Sequence, residues 1–99
     1  MRPIHVAELD KRRPVLVLTR DLVRPAMTRV TVAPITTRRR GLTTEVPVGP
    51  ENGLSEEGAV SCDNLVTVPT DSLGRVIGYL LPDQEPLLTE AIMAAFDLE

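Results

Sequence analysis

Pro14-Val15-Leu16-Val17-Leu18-Thr19 is an unbroken run of β-branched and aliphatic residues, and its reading decides the fold. A strand with one wet face alternates apolar with polar residues. A continuous apolar run of this length, flanked by Arg12-Arg13 and Arg20, is the pattern of a strand covered on both faces. Pro14 stands at its first residue, where a missing N–H costs a ladder little. The run predicts a central strand that must be covered by the elements around it.

Shorter strand patterns lie on both sides. Upstream, Pro3 to Leu9 is a first strand marked by Ile4 and Val6, turned back by the polar Asp10-Lys11-Arg12. Downstream, Arg20 to Ala26 is a connection in which Pro25 forbids a long helix. Thr28 to Ile35 alternates, with Val30 and Val32 opposed to Arg29 and Thr31, and Pro34 is expected to end or bulge this strand. Thr36 to Gly41 reads as a polar loop and Thr43 to Val48 as a short strand running into Gly49-Pro50 and Asn52-Gly53 turns. Ala59 to Asp63 and Leu65 to Val68 read as one bent or bulged strand. Asp71 to Gly74 is a turn, and Val76 to Leu81 the last strand. Only the C-terminus has helical periodicity: Leu88, Ile92 and Phe96 share a face with Leu87, Ala91 and Ala95 beside them, Asp83 is the expected N-cap, and Pro86 falls in the first turn. Strands this short in so small a chain predict a mainly β fold, a compact barrel closed at one end by a C-terminal α-helix, with residues 1–99 as a single domain.

Ninety-nine residues with 42% hydrophobic and 25% charged content hold one core and exclude disorder. No apolar run approaches the roughly 20 residues that span a bilayer, and no signal-peptide pattern opens the chain, so no membrane partner is expected. The lone cysteine, Cys62, cannot form an internal disulfide or a cysteine zinc cage, which points to a reducing cytoplasm. Two aromatic residues, Tyr79 and Phe96, are too few for a base-stacking platform. The formal net charge of −3 hides a polarity. Residues 1–40 carry ten basic side chains against three acidic ones, and residues 41–99 carry one against eleven. Such a division suits a polyanionic partner on one side or a basic one on the other. Arginine, ten to one over lysine, has the planar fork that meets phosphate bidentately.

His5 has no sequence neighbour to orient it as a general base and reads as structural. One histidine and one cysteine among scattered carboxylates match no metal spacing, so no metal and no cofactor is expected. Cys62, without a nearby base, reads as a small buried apolar residue. Arg12-Arg13 places a guanidinium at the mouth of the central strand, where it either caps the strand end in solvent or meets a ligand. Thr36-Thr37 sets two hydroxyls at another strand end, which threonine also favours for packing alone. Arg38-Arg39-Arg40 is either a solvated loop or a clamp on backbone phosphates.

Three segments in order carry a family resemblance. Arg13-Pro14-Val15-Leu16-Val17-Leu18-Thr19-Arg20-Asp21 resembles the RPVLVLS-x-D stretch of MazF/PemK toxins. Val32-Ala33-Pro34-Ile35-Thr36-Thr37 is similar to their V-A-P-[IVL]-T-[ST] motif, and Ser61-Cys62-Asp63-Asn64 to their C-D-Q segment. Leu73-Gly74 and the apolar C-terminal helix complete the order over nearly the whole chain.

The resemblance implies an SH3-like barrel, a homodimer, and the toxin of a toxin–antitoxin pair. It implies metal-independent, sequence-specific cleavage of single-stranded RNA, in which the substrate's own 2′-hydroxyl attacks phosphorus to leave a 2′,3′-cyclic phosphate and a 5′-hydroxyl. Arg13 and Thr36 match the catalytic arginine and threonine. Asp63 would orient Arg13 or accept the 2′-hydroxyl proton. Thr37, Arg38, Arg39, Arg40 and Asn64 would bind substrate, and the acidic tail of a MazE-like antitoxin would lie across the basic half. The chain departs from the family in its very short Asp10–Arg12 loop, in Arg2-Pro3 and His5 where Arg-Gly and an aromatic residue are usual, and in Ser61 where some members have arginine. The same barrel also serves gyrase-poisoning toxins that cleave nothing, and a non-catalytic RNA-binding barrel is a third reading.

Overall fold

The computed structural model describes residues 1–20 and 24–98; part of the Arg20–Ala26 connection, and Asp21 of the first family segment, lie outside the described residues. Among these residues are seven strands and one α-helix: β1 (Pro3–Glu8), β2 (Arg12–Val17), β3 (Arg29–Thr36), β4 (Glu45–Val48), β5 (Gly58–Ser61), β6 (Val66–Pro69), β7 (Leu73–Tyr79) and α1 (Glu85–Ala95). They form one antiparallel sheet in the order β4-β5-β3-β2-β1-β7, with β6 also paired to β3. Among the described residues no helix is long and apolar enough to cross a membrane.

The central run behaves as its composition requires. Val15, Leu16 and Val17 are all at most 1% exposed. Leu16 enters one core with Ile4, Ile35, Val46, Val60 and Leu80, which α1 covers with Leu88 and Ala91. Val15 and Val17 enter a second core with Ala7, Val30, Val32 and Val68. Successive side chains of a strand point to opposite faces, so an apolar run is what two cores on two faces demand. Each such side chain contributes about 1.5–3 kcal/mol by leaving water.

The bent strand takes a definite form. β6 pairs with residues 29–32 of β3 and β5 with Ile35 and Thr36, and between them the 3-10 turn Cys62–Asn64 inserts three residues. Pro34, which has no N–H to give a ladder, lies opposite that insertion. β3 therefore continues through Pro34 to Thr36 rather than ending there. β7 begins at Leu73, following a 3-10 turn over Thr70–Ser72, so it starts and stops earlier than the expected Val76–Leu81. Two register shifts against β1 coil it, as bulges do.

At the C-terminus the expected cap is replaced. Asp83 lies within a 3-10 turn, Pro82–Gln84, and Gln84 Oε1 accepts the N–H of Leu81 at 2.9 Å. Phe96 does not share the buried face. The helix ends at Ala95, and Phe96, 56% exposed, leaves it ahead of Asp97 at φ +54°.

The sheet edges β4 and β7 are tied by a buried amide pair. Asn52 Nδ2 donates to Gln84 Oε1 at 2.6 Å and to the Tyr79 carbonyl at 3.0 Å, while Asn52 Oδ1 accepts from Gly49 N at 3.1 Å. Gln84 Nε2 returns a bond to Asn52 Oδ1 at 3.3 Å and reaches the Pro47 carbonyl at 3.4 Å. The turn carrying Asn52 sits directly on the β7 backbone: a Cβ on Gly78 would meet the Asn52 carbonyl oxygen at 1.7 Å, and one on Gly53, at φ +87°, the Ile77 carbonyl at 2.0 Å.

Cys62 is fully buried. Burial first, and the Asp63 charge second, push its thiol up to about 11 from 9.0. A thiol held protonated is a poor nucleophile. Alkylation at pH 8 is therefore expected to proceed only after denaturant unfolds the chain, which a mass-spectrometric time course checks. The folded state also binds this proton more tightly than the unfolded one, so this group's contribution to stability is present below pH 9 and is lost as pH rises through about 11.

Candidate active site

A cavity of about 570 Å³ lies along one end of β2 and β3, and it brings together Arg13, Thr36, Arg38, Arg40, Asp63 and Asn64. The sheet register explains the first two. Val15 pairs with Pro34 and Val17 with Val32. Continued by two residues, that register sets Arg13 across from Thr36. Directly opposed residues of neighbouring strands have Cβ atoms about 4.5–5.5 Å apart. A guanidinium and a hydroxyl 23 positions apart in sequence thus come to line the same cavity.

Arg13 is half-buried. Its Nη2 donates to Asp10 Oδ2 at 3.1 Å, and its Nε is buried without a hydrogen bond among the described residues. Asp10, in the tight turn between β1 and β2, is therefore the carboxylate that orients Arg13, and Asp63 is not. Thr36 Oγ1 accepts the backbone N–H of Arg38 at 3.1 Å. With a lone pair engaged, the hydroxyl proton of Thr36 remains available to donate.

Arg38, Arg39 and Arg40 do not act as one block. Arg38 and Arg40 line the cavity, whereas Arg39 turns away and is held by structure: Nε donates to the Gly58 carbonyl at 2.7 Å, Nη2 to the Val48 carbonyl at 2.9 Å, and Nη1 lies 3.5 Å from Glu57 Oε2. Thr37 faces a second cleft of about 330 Å³, whose lining includes Lys11, Arg12 and Glu56. Arg13 and Thr36 line both spaces, so they form the wall between them.

Asp63 and Asn64 reach the cavity because the 3-10 turn breaks the ladder there. Asp63 Oδ2 accepts from Thr44 Oγ1 at 2.6 Å, and Asn64 Nδ2 donates to Ser61 Oγ at 2.8 Å. His5 stands apart on β1, its Nδ1 bonded to the Gly74 carbonyl at 2.9 Å. Among the described residues no three His, Cys, Asp or Glu side chains group as metal ligands would.

Asp10 and Thr44 were not marked by the sequence reading. Asp10 had a signal, an acid three residues before the arginine in a hairpin turn. Thr44 had none, because its partner lies 19 residues away.

Over residues 2–96 the chain matches the family described as PemK-like, MazF-like toxin of type II toxin–antitoxin system. It is 66% identical over 99 residues to the Mycobacterium tuberculosis protein named Endoribonuclease MazF3, covering 100% of this chain and 96% of that one. A solved structure described as Mycobacterium tuberculosis toxin MazF-mt6 is 65% identical, with a TM-score of 0.97 and 99% of both chains covered. A second, an endoribonuclease from a mycobacterial species in complex with its cognate antitoxin, is 26% identical with a TM-score of 0.88, covering 98% of this chain and 93% of that one.

Proposed function

The chain belongs to the PemK-like, MazF-like toxins of type II toxin–antitoxin systems, and from that premise we propose how its cavity cleaves RNA. It is an endoribonuclease. The observation that carries the mechanism is that Arg13 and Thr36 together form the wall of a cavity lined by two further arginines.

The reaction needs no nucleophile from the protein. The 2′-oxygen of one nucleotide bonds to the adjacent phosphorus, the P–O5′ bond breaks, and the products are a 2′,3′-cyclic phosphate and a 5′-hydroxyl. The 2′-hydroxyl proton is lost as the bond forms, and the departing 5′-oxygen gains one. Negative charge builds on the non-bridging oxygens, where preorganised donors act most strongly. Arg13 remains protonated and offers a fork to two of those oxygens. A phosphate oxygen reaching its buried Nε would also recover the roughly 1–3 kcal/mol that an unmade buried hydrogen bond costs. Thr36 donates its free hydroxyl proton. With Arg13 oriented by Asp10, the role left for Asp63 is to accept the 2′-hydroxyl proton, with Thr44 holding the carboxylate.

Arg38 and Arg40 hold flanking phosphates, Asn64 meets a base edge or the sugar, and Thr37 contacts the strand on the far side of the Arg13–Thr36 wall. Arg39, spent on two carbonyls and Glu57, shapes the loop. The whole chain acts as one toxin domain in the cytoplasm, where its substrate is found, and works as a homodimer. An antitoxin with an acidic tail would silence it by laying carboxylates where the phosphates go.

The test is incubation with single-stranded RNA in EDTA. Cleavage is expected to persist. The new 5′ ends should accept phosphate from a polynucleotide kinase directly, and the 3′ ends should resist ligation until the cyclic phosphate is opened and the resulting phosphate removed. RNA that stays intact with and without EDTA would overturn this reading in favour of a binding toxin. Activity abolished by EDTA and restored by a divalent ion would overturn the metal-independent mechanism.

A further inference from the structure

The loop bearing Arg38 and Arg40 is pinned at one atom. The backbone N–H groups of Arg40, Gly41 and Leu42 donate to Glu45 Oε1 at 3.0, 3.0 and 3.3 Å. Glu45 N in turn donates to the Leu42 carbonyl at 3.1 Å, closing the turn. Gly41, at φ +71°, takes the left-handed conformation that lets successive N–H groups converge, the concavity in which backbones bind anions. Here the chain's own carboxylate fills it.

Glu45 also lines the basic cavity, where a negative charge opposes RNA. A carboxylate in that place makes sense if the order it imposes outweighs the repulsion. Glu45 is the first residue of β4 and pairs with Ser61 of β5, next to the turn that presents Asp63 and Asn64. The carboxylate therefore ties the arginine loop to the part of the sheet that forms the opposite wall.

We propose that Glu45 is a positioning residue for RNA binding: by capturing three consecutive N–H groups it fixes Arg40, and with it Arg38, at the spacing that meets the phosphates of the bound strand. This rests on the endoribonuclease reading of the cavity. Ordering a long side chain's backbone beforehand removes part of the entropy cost of binding. The contribution is thus to substrate affinity and not to the chemical step.

The experiment uses the full chain and an RNA oligonucleotide spanning a site that the wild type cuts. Glu45→Ala is expected to raise KM about tenfold with kcat within about twofold, and to flatten the fall of affinity with salt by about one phosphate contact. Glu45→Gln keeps an acceptor oxygen and should restore most of the lost affinity. Glu45→Ala combined with Arg40→Ala should raise KM by clearly less than the product of the two single increases, because both remove the Arg40 contribution. A Glu45→Ala protein with wild-type KM and salt slope overturns the proposal. So does a double variant whose losses simply multiply, since loop packing independent of Arg40 predicts that. If Glu45→Ala melts too low to assay, Glu45→Gln against Glu45→Asp, which shortens the reach, gives the same comparison, with affinity for Gln above Asp expected and the reverse order overturning it. The wild type in the same assay is the separate control for the endoribonuclease reading: RNA that it leaves intact overturns that reading, whereas Arg13→Ala cleaving at the wild-type rate removes only Arg13 from the mechanism and leaves the Glu45 comparison standing.

Discussion

Arg13→Ala is expected to lower kcat/KM for RNA cleavage by about 10²–10³-fold, the effect of removing one preorganised donor from a developing oxyanion. Folding should barely change. The side chain's ion pair is with Asp10, whose side chain is 72% exposed, and exposed pairs contribute about 0–1 kcal/mol. The melting temperature should therefore stay within a few degrees of wild type. Arg13→Lys keeps the charge but not the planar fork, so it should recover only part of the rate. Thr36→Ala should fall in the same range, and Thr36→Ser, which keeps both the acceptor for Arg38 N and the donor proton, should retain much of the activity. Initial rates on a defined oligonucleotide, with circular dichroism for folding, check all four. A folded Arg13→Ala protein cleaving at the wild-type rate would remove Arg13 from the mechanism, and Thr36 is judged in the same way.

The strand register sets the geometry of this pair. Arg13 and Thr36 come together only because Val15 pairs with Pro34 and Val17 with Val32. A one-residue slip would turn Thr36 to the other face. The two fully buried valines that flank Leu16 in the second core hold that register, and in this way core packing sets the geometry of the candidate catalytic pair.

What could be read in the sequence was what local chemistry dictates. The apolar run after Pro14 declared a doubly covered strand, and both of its faces are buried. Arg13, Thr36 and Asp63 were marked by segments resembling a family, and the structure gathers them in one cavity. Partnerships across distance were not legible. Arg39 looks like its neighbours Arg38 and Arg40, yet in the loop after β3 it is held on the Gly58 and Val48 carbonyls, and no pattern in three consecutive arginines reveals that. Phe96 continues the helical spacing of Leu88 and Ile92, but spacing does not show where the helix stops, and it stops at Ala95. Asn52-Gly53 was legible as a turn; that the turn sits on β7 and is bonded to Gln84, 32 residues on, was not.

That last contact carries the largest expected effect on stability. Asn52→Leu removes the acceptor for Gly49 N and the donor to the Tyr79 carbonyl, and strips Gln84 of both its bonds to Asn52. Asn52 is 2% exposed and Gln84 8%, so water replaces little of what is lost. A buried polar group left unmade costs about 1–3 kcal/mol, and several share this site, which puts the total near 3–5 kcal/mol. For a domain of this size each kcal/mol moves the melting temperature by about 4–8 °C, so a fall of roughly 15 °C or more is expected. Gly78→Ala should be at least as severe, because its Cβ would lie 1.7 Å from the Asn52 carbonyl oxygen and backbone would have to move. The two amides should also be coupled. Asn52→Leu with Gln84→Leu should cost clearly less than the two single changes added, by about 1 kcal/mol or more, since the second change removes a group that the first has already orphaned. Denaturant unfolding of the four proteins measures this cycle. An Asn52→Leu protein within 1 kcal/mol of wild type would mean that the edges β4 and β7 are held together by the apolar core alone, with the buried amides contributing nothing to closure.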